Sequence, residues 1–167
     1  MMLVNRLQRD LQSSNVLEAA IALSAGAKIL TVDMIPAVLP LVTNHLKHDQ
    51  EIIRKKAVML LHRFLQLQQD SVLHLIEKFR RTLCDKDPAV MGASLHIFHE
   101  LAKADPAPYK DLVSSFVSIL KQITEHRLPR DFDYHRIPAP WIQIQLLQLL
   151  ALLGRGDQAS SEGMYEV

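Results

Sequence analysis

Between Asp131 and Arg136 the chain reads DFDYHR: two carboxylates, a phenol, an imidazole and a guanidinium within six residues. Such groups are the raw material of general acid–base catalysis and of anion clamping. Here they lack a counterpart. No nucleophile or second ionisable cluster elsewhere pairs with them, and clustering in sequence is not convergence in space. The simpler reading is a surface connector, held down by Phe132, Tyr134, Ile137 and Trp141 packing against helices.

Eight histidines raise the question of metal binding. His45 with His48, and His96 with His99, are i, i+3 pairs that share a helix face. A catalytic zinc needs a third ligand, usually with a carboxylate nearby, and no HExxH pattern occurs. These histidines read as surface or groove residues. No pattern calls for a metal or a cofactor. The single cysteine, Cys84, excludes an internal disulfide and a cysteine-based zinc site. On an apolar helix face it reads as an inert core residue.

Two basic clusters remain, Arg54-Lys55-Lys56 and Lys78, Arg80, Arg81. They fall off the apolar pattern of their helices and are predicted to face solvent. Glu51 lies four residues before Lys55 and Glu77 four before Arg81, the spacing of helix-surface ion pairs. The clusters are the candidate contact for an acidic partner or an anionic lipid headgroup.

Composition narrows the class. Hydrophobic residues make up 49% and charged residues 22%, enough apolar material for a core. A net charge of +1 is far from the basic stripe of a nucleic-acid binder. The opening MMLVNRLQRDLQ is amphipathic and unlike a signal peptide. Apolar runs such as Leu149 to Leu153 fall well short of the ~20 residues of a membrane span. The chain reads as soluble and intracellular.

The elements that must position these residues are helices. Sustained alternation and Asn-Gly or Asp-Gly hairpin turns are absent. One apolar template, i, i+4, i+7, i+8, i+11, fits Val16, Ala20, Leu23, Ser24 and Ala27. It fits again at Ile53, Ala57, Leu60, Leu61 and Phe64, and at Val90, Ser94, Ile97, Phe98 and Leu101. Each step is 37 residues. A second template fits Ile35, Val38, Leu39, Val42 and Leu46. It recurs at Val72, Leu75, Ile76, Phe79 and Leu83, then at Tyr109, Leu112, Val113, Phe116 and Leu120, again in steps of 37. Two alternating helix patterns with one period predict an all-α fold, an α-solenoid of HEAT/armadillo-like two-helix repeats.

A fourth copy of the first template, Ile142, Leu146, Leu149, Leu150 and Leu153, comes 15 residues late. The excess marks an inserted loop at about 127–140, which contains DFDYHR. Asp87-Pro88 reads as a helix cap followed by proline in the first turn. Asp105-Pro106 ends one helix, Asp33 caps the one carrying Ile35, and Pro140 opens the one carrying Ile142. Pro40 is expected to kink its helix. The helix from Trp141 to Leu153 is apolar over more than half its circumference, which predicts burial on several sides. Capping repeats usually carry a polar outer face. Leu3, Leu7 and Leu11 near one end, with Met164 and Tyr165 near the other, lead us to expect residues 1–167 to be a segment of a longer array.

Three stretches carry a family resemblance: EIIRKKAVMLLHRF, CDKDPAVMGASLHIFHELAK with YKDLVSSFVSILKQI, and LPRDFDYHRIPAPWIQIQLLQLLALLGRGDQASSEGMYEV. They resemble the adaptins, the large subunits of heterotetrameric clathrin-type adaptor complexes. YHRIPAPWIQIQLL is most similar to the epsilon branch, of the fourth adaptor complex. The resemblance spans nearly the whole chain. It implies a trunk segment without enzymatic activity, in a complex with small sigma, medium mu and second large beta-type subunits. It further implies recruitment by an Arf-type GTPase, and cargo selection for vesicle-mediated transport at trans-Golgi network and endosomal membranes. Arg54, Lys55, Lys56, Lys78, Arg80 and Arg81 are the residues expected at a GTPase or membrane contact. The alternative from the repeat alone is a karyopherin-like carrier, which would need a peptide groove lined by regularly spaced Asn or Trp.

Overall fold

The two apolar templates become the buried faces of alternating helices. In the computed structural model, which describes residues 2–155 and Met164, eight α-helices form among the described residues. They are α1 (Met2–Leu11), α2 (Val16–Ile29), α3 (Ile35–His45), α4 (Glu51–Leu67), α5 (Ile76–Thr82), α6 (Pro88–Ala104), α7 (Val113–Thr124) and α8 (Pro140–Leu153). No strand occurs among the described residues, only an isolated bridge between Tyr134 and Ile137. The chain divides into two compact units, residues 1–94 and 95–167.

In the first unit, Ile53, Ala57, Leu60, Leu61 and Phe64 of α4 are wholly buried. Each large apolar side chain so covered contributes roughly 1.5–3 kcal/mol. Helix α2 departs from the expected register. Of its five template residues only Leu23 is buried; Val16, Ala20, Ser24 and Ala27 are half-buried. Its buried face is Ala19, Ala22, Leu23, Gly26 and Leu30, which matches Arg54, Ala57, Val58, Leu61 and Leu65 at a step of 35. Sequence periodicity misses this because α2 is apolar nearly all round, so two faces score alike. The small residues have a purpose. A Cβ on Gly26 would sit 3.2 Å from Leu60 Cδ2, so Gly26 lets α2 approach α4 closely.

Helices of the second kind begin in 3₁₀ turns: Val32–Met34 before α3, Gln69–Ser71 and Leu73–Leu75 before α5, Ala107–Leu112 before α7. The tighter turns absorb the acids. Asp33 sits inside its 3₁₀ turn, paired with the Thr31 hydroxyl, and does not cap α3. Asp87 caps α6 as expected, its Oδ1 accepting from the Ala89 and Val90 amides at 2.9 and 3.2 Å. Helix α3 runs through Pro40, which lies on its exposed side. Gln8 Nε2 donates to the Ala37 carbonyl at 2.7 Å and ties α1 to α3.

In the second unit, Phe98 meets Tyr109 and Phe116 edge-on at 6.0 and 6.4 Å. Helix α7 packs on α8, whose Ile142, Leu146, Leu149, Leu150 and Leu153 are all buried. The fourth template copy is therefore a core stripe. Met164 is half-buried beside Gly154; Tyr165 lies outside the described residues.

Candidate partner-binding surfaces

The connector between α7 and α8 closes on itself. Tyr134 and Ile137 exchange backbone hydrogen bonds of 2.9 and 3.0 Å around a turn whose central residues, His135 and Arg136, have φ of 50° and 68°. Left-handed backbone at two non-glycine residues is unfavourable and is held here by both bonds. The Ala139 amide donates to the Phe132 carbonyl at 3.1 Å. Ala139, at φ 39°, swings the chain into α8, where Pro140 occupies the first turn. Gln143 Nε2 donates to the Pro138 carbonyl at 2.6 Å.

The expected anchoring by aromatic residues is not what forms. Phe132 is half-buried, but Tyr134 is 54%, Ile137 51% and Trp141 67% exposed. Tyr134 lies 5.9 Å from Trp141 and 4.3 Å from His135, ring to ring. Ile144 and Leu147 are exposed as well, so α8 is not covered on all sides. Paired backbone bonds close the loop, and of Phe132, Tyr134, Ile137 and Trp141 only Phe132 is half-buried. Asp131, Asp133, His135 and Arg136 meet no second reactive group among the described residues.

The basic clusters divide in a way sequence spacing hides. Arg54 does not face solvent; it is 6% exposed. Its Nε and Nη2 reach Asp85 Oδ2 and Oδ1 at 2.8 and 2.9 Å, a bidentate pair. Its Nη1 donates to the His48 and Asp49 carbonyls at 2.8 and 2.9 Å. Asp85 also accepts from the Asp87 amide at 2.9 Å. One guanidinium thus joins the α3–α4 turn to the α5–α6 turn. The Asp85 hydrogen bond raises the Arg54 pKa above its ordinary value, against the pull of burial. Burial alone would raise the Asp85 carboxyl; the Arg54 hydrogen bond, the Asp87 amide and the Arg54 charge outweigh it, so its pKa is lowered.

Lys55 and Lys56 are half-exposed, and Lys78 and Arg81 are exposed. Glu77 pairs with Arg80 at 3.8 Å rather than with Arg81. Cys84 falls beyond the end of α5 and is exposed, not core.

His45 and His48 are separately engaged. His45 Nε2–H donates to the Leu11 carbonyl at 2.8 Å, fastening α3 to the end of α1. His48 Nδ1 accepts from the Gln50 amide at 3.0 Å. Burial lowers the His45 pKa, and its neighbour His48 lowers it further, against the Leu11 hydrogen bond. Among the described residues no group of three His, Cys, Asp or Glu could hold a metal ion, and no helix is long and apolar enough to cross a membrane.

One surface escaped sequence reasoning. Ile21 of α2, 68% exposed, stands between two open hollows. One, of about 270 Å³, is lined by Leu3, Leu7, Glu18, Ala22, Ala25 and Ile29. The other, of about 420 Å³, is edged by Lys28 and Lys56, which are 28 positions apart in the chain. Only the packing of α2 on α4 brings those ammonium groups to one rim.

Comparison with known proteins agrees with the all-α repeat. A crystal structure of an engineered protein, 15% identical, superposes with a TM-score of 0.66 over 99% of this chain and 68% of that one, a likeness of fold alone. The human AP-4 complex subunit epsilon-1 is 50% identical over 167 residues, all of this chain and 15% of the relative. The Arabidopsis thaliana AP-4 complex subunit epsilon is 53% identical over 163 residues, 98% of this chain and 17% of the relative. The AP-1 complex subunit gamma of Dictyostelium discoideum is 26% identical over 98% of this chain. This chain thus spans about a sixth of the length of the relatives it matches. The family model described as adaptin N terminal region covers residues 1–166, and with epsilon subunits matching from end to end, the chain belongs to the adaptin family, in its α-solenoid N-terminal region.

Proposed function

We propose that this chain serves as trunk structure in the large subunit of a vesicle-coat adaptor complex, without enzymatic activity of its own. One observation carries the reading: half of all residues are identical to the human AP-4 epsilon-1 subunit along the whole chain. The mechanism is mutual cover of helices, which presents a fixed surface to small sigma, medium mu and second large beta-type subunits. The complex then selects cargo at trans-Golgi network and endosomal membranes. Affinity purification of the tagged chain from cells, read by mass spectrometry, tests this. Recovery of small and medium adaptor subunits is expected; recovery of soluble transport cargo, or of neither, sinks it.

Within that role, Lys55, Lys78, Arg80 and Arg81 are the cations proposed to meet an Arf-type GTPase or an anionic membrane surface, with Lys56 at their margin. Arg54 serves them indirectly, by fixing the first turn of α4. Replacing Lys55, Lys78 and Arg81 with glutamate is expected to reduce recruitment to Golgi-derived membranes while assembly with partner subunits persists. Unchanged recruitment of the assembled variant would remove these cations from the role.

A further inference from the structure

The DFDYHR stretch holds no repeat together, yet it sets a phenol between two acids and two bases. Tyr134 is 54% exposed and opens the turn that ends at Ile137. Asp131 and Asp133 precede it by three residues and by one; the first is exposed and the second half-buried. His135 and Arg136 follow it, both exposed. Tyr109 is the contrast, 6% exposed and edge-on to Phe98 at 6.0 Å.

The segment can also leave its turn. Among the described residues, all four non-glycine positions with positive φ, His126, His135, Arg136 and Ala139, lie within 126–139. Left-handed backbone at His135 and Arg136 offsets part of what the two Tyr134–Ile137 hydrogen bonds contribute. Opening the turn uncovers no core side chain, since Tyr134, His135, Arg136 and Ile137 are all exposed already. Surface segments of this kind open at the low end of the local-stability range. An enzyme that grasps several residues in extended form can therefore take this one without unfolding a helix.

We infer that Tyr134 is a phosphorylation site, the acceptor for a protein tyrosine kinase with a basic substrate cleft. Asp131 and Asp133 are the charge complement of such a cleft. ATP is the co-reactant. Tyr134 Oη attacks the γ-phosphorus, and the Oη–P bond forms as the bond from that phosphorus to the bridging oxygen of ADP breaks. The phenol proton passes to the catalytic carboxylate of the kinase. The phosphate adds about 1.5–2 negative charges at pH 7. Bases to meet it adjoin: the His135 ring lies 4.3 Å from the Tyr134 ring, centre to centre, and Arg136 is the next residue. Both can give the charge-assisted hydrogen bonds that a phosphate takes. The other neighbours are apolar: Trp141, 5.9 Å from Tyr134 ring to ring, and exposed Ile137 and Ile144. Modification turns this apolar patch anionic, which weakens any contact made through Trp141. Nothing in this chemistry depends on the trafficking role.

Phosphorylation of the whole 167-residue chain by a purified tyrosine kinase tests it. The kinase is one that accepts poly(Glu,Tyr), which serves as positive control in the same tube. Phosphate is assigned to its residue by mass spectrometry. Tyr134 is expected to be modified at least about 100-fold faster than buried Tyr109. Asp131→Asn with Asp133→Asn is expected to slow Tyr134 about 10-fold, with poly(Glu,Tyr) labelled as before. An unlabelled Tyr134 beside a labelled control overturns the inference. So does faster labelling of Tyr109 or Tyr165. An unchanged rate in the double variant overturns it too, because the acids then take no part in recognition. Labelling of Tyr134 only after thermal unfolding does the same, because the segment is then closed to a kinase in the folded chain. Should the double variant misfold, the parent chain still decides, by the order in which its three tyrosines are labelled.

Discussion

Arg54, in the first unit, keeps 6% of its surface in water; Trp141, in the second, keeps 67%. By side-chain chemistry alone the two would be exchanged. Arg54 can be buried because every donor it presents inward finds an acceptor: two carboxylate oxygens of Asp85 and two carbonyls. Trp141 stays out because Ala139 and Pro140 set the start of α8 so that the stripe from Ile142 to Leu153 faces the core. The position one residue earlier then points away. Helix register decides burial for the tryptophan, and hydrogen-bond completeness decides it for the arginine.

The largest test of that contrast leaves Arg54 charged and alone. Asp85→Ala is expected to cost about 3–5 kcal/mol in urea unfolding, because a buried guanidinium loses its counter-charge. Arg54→Met with Asp85→Leu is expected to stay within about 2 kcal/mol of the parent, since the desolvation cost leaves with the pair. A double variant as damaged as Asp85→Ala would show that packing, not charge, holds the two turns. The pair also sets an acid limit. The Asp85 pKa is lowered in the fold, so as pH falls the unfolded chain takes up that proton first. Its stabilisation is full above the unfolded value and drains as pH falls below about 4. Asp85→Asn should flatten that part of the stability–pH curve.

The same contrast within α8 comes next. Leu146→Ala, at a wholly buried site, is expected to cost about 2–5 kcal/mol. Trp141→Ala is expected to change stability by less than about 1 kcal/mol despite removing a larger side chain. Comparable losses would mean that Trp141 packs more than its exposure indicates.

A smaller effect sharpens the account of the loop. Arg136→Gly relieves left-handed backbone and should stabilise by up to about 1 kcal/mol, readable as a rise in Tm. A fall would show that the Arg136 side chain anchors the turn. The smallest effect is the His45 dependence on pH. Its folded pKa is lowered, so the unfolded chain binds the proton more readily and stability declines as pH drops below about 6.5. His45→Gln should remove its share of that decline, seen as a smaller Tm difference between pH 7 and pH 5.

Much of the fold was legible because apolar spacing survives any tertiary arrangement. The templates starting at Ile53, Val90, Val72, Tyr109 and Ile142 all became mainly buried faces. The copy starting at Val16 failed for an equally physical reason: alanine, glycine and leucine surround α2, so hydrophobicity has no preferred direction there. Candidate contacts were less readable. Lys55 beside Arg54 looks like one cluster in sequence, yet neighbours on a helix point 100° apart, and one meets water while the other meets Asp85.

By itself, then, the amino-acid sequence determined that the fold is all-α, that its helices alternate in two kinds, and that a long connector precedes α8. Those are consequences of local spacing, of proline and of acidic caps, and each acts within a turn or two of chain. Tertiary structure alone decided that Arg54 turns inward, that Trp141 turns outward, that Lys28 and Lys56 share a rim, and that Ile21 stands uncovered. Each depends on which residues distant in sequence come within a few ångströms, and that distance is set by helices packing on helices.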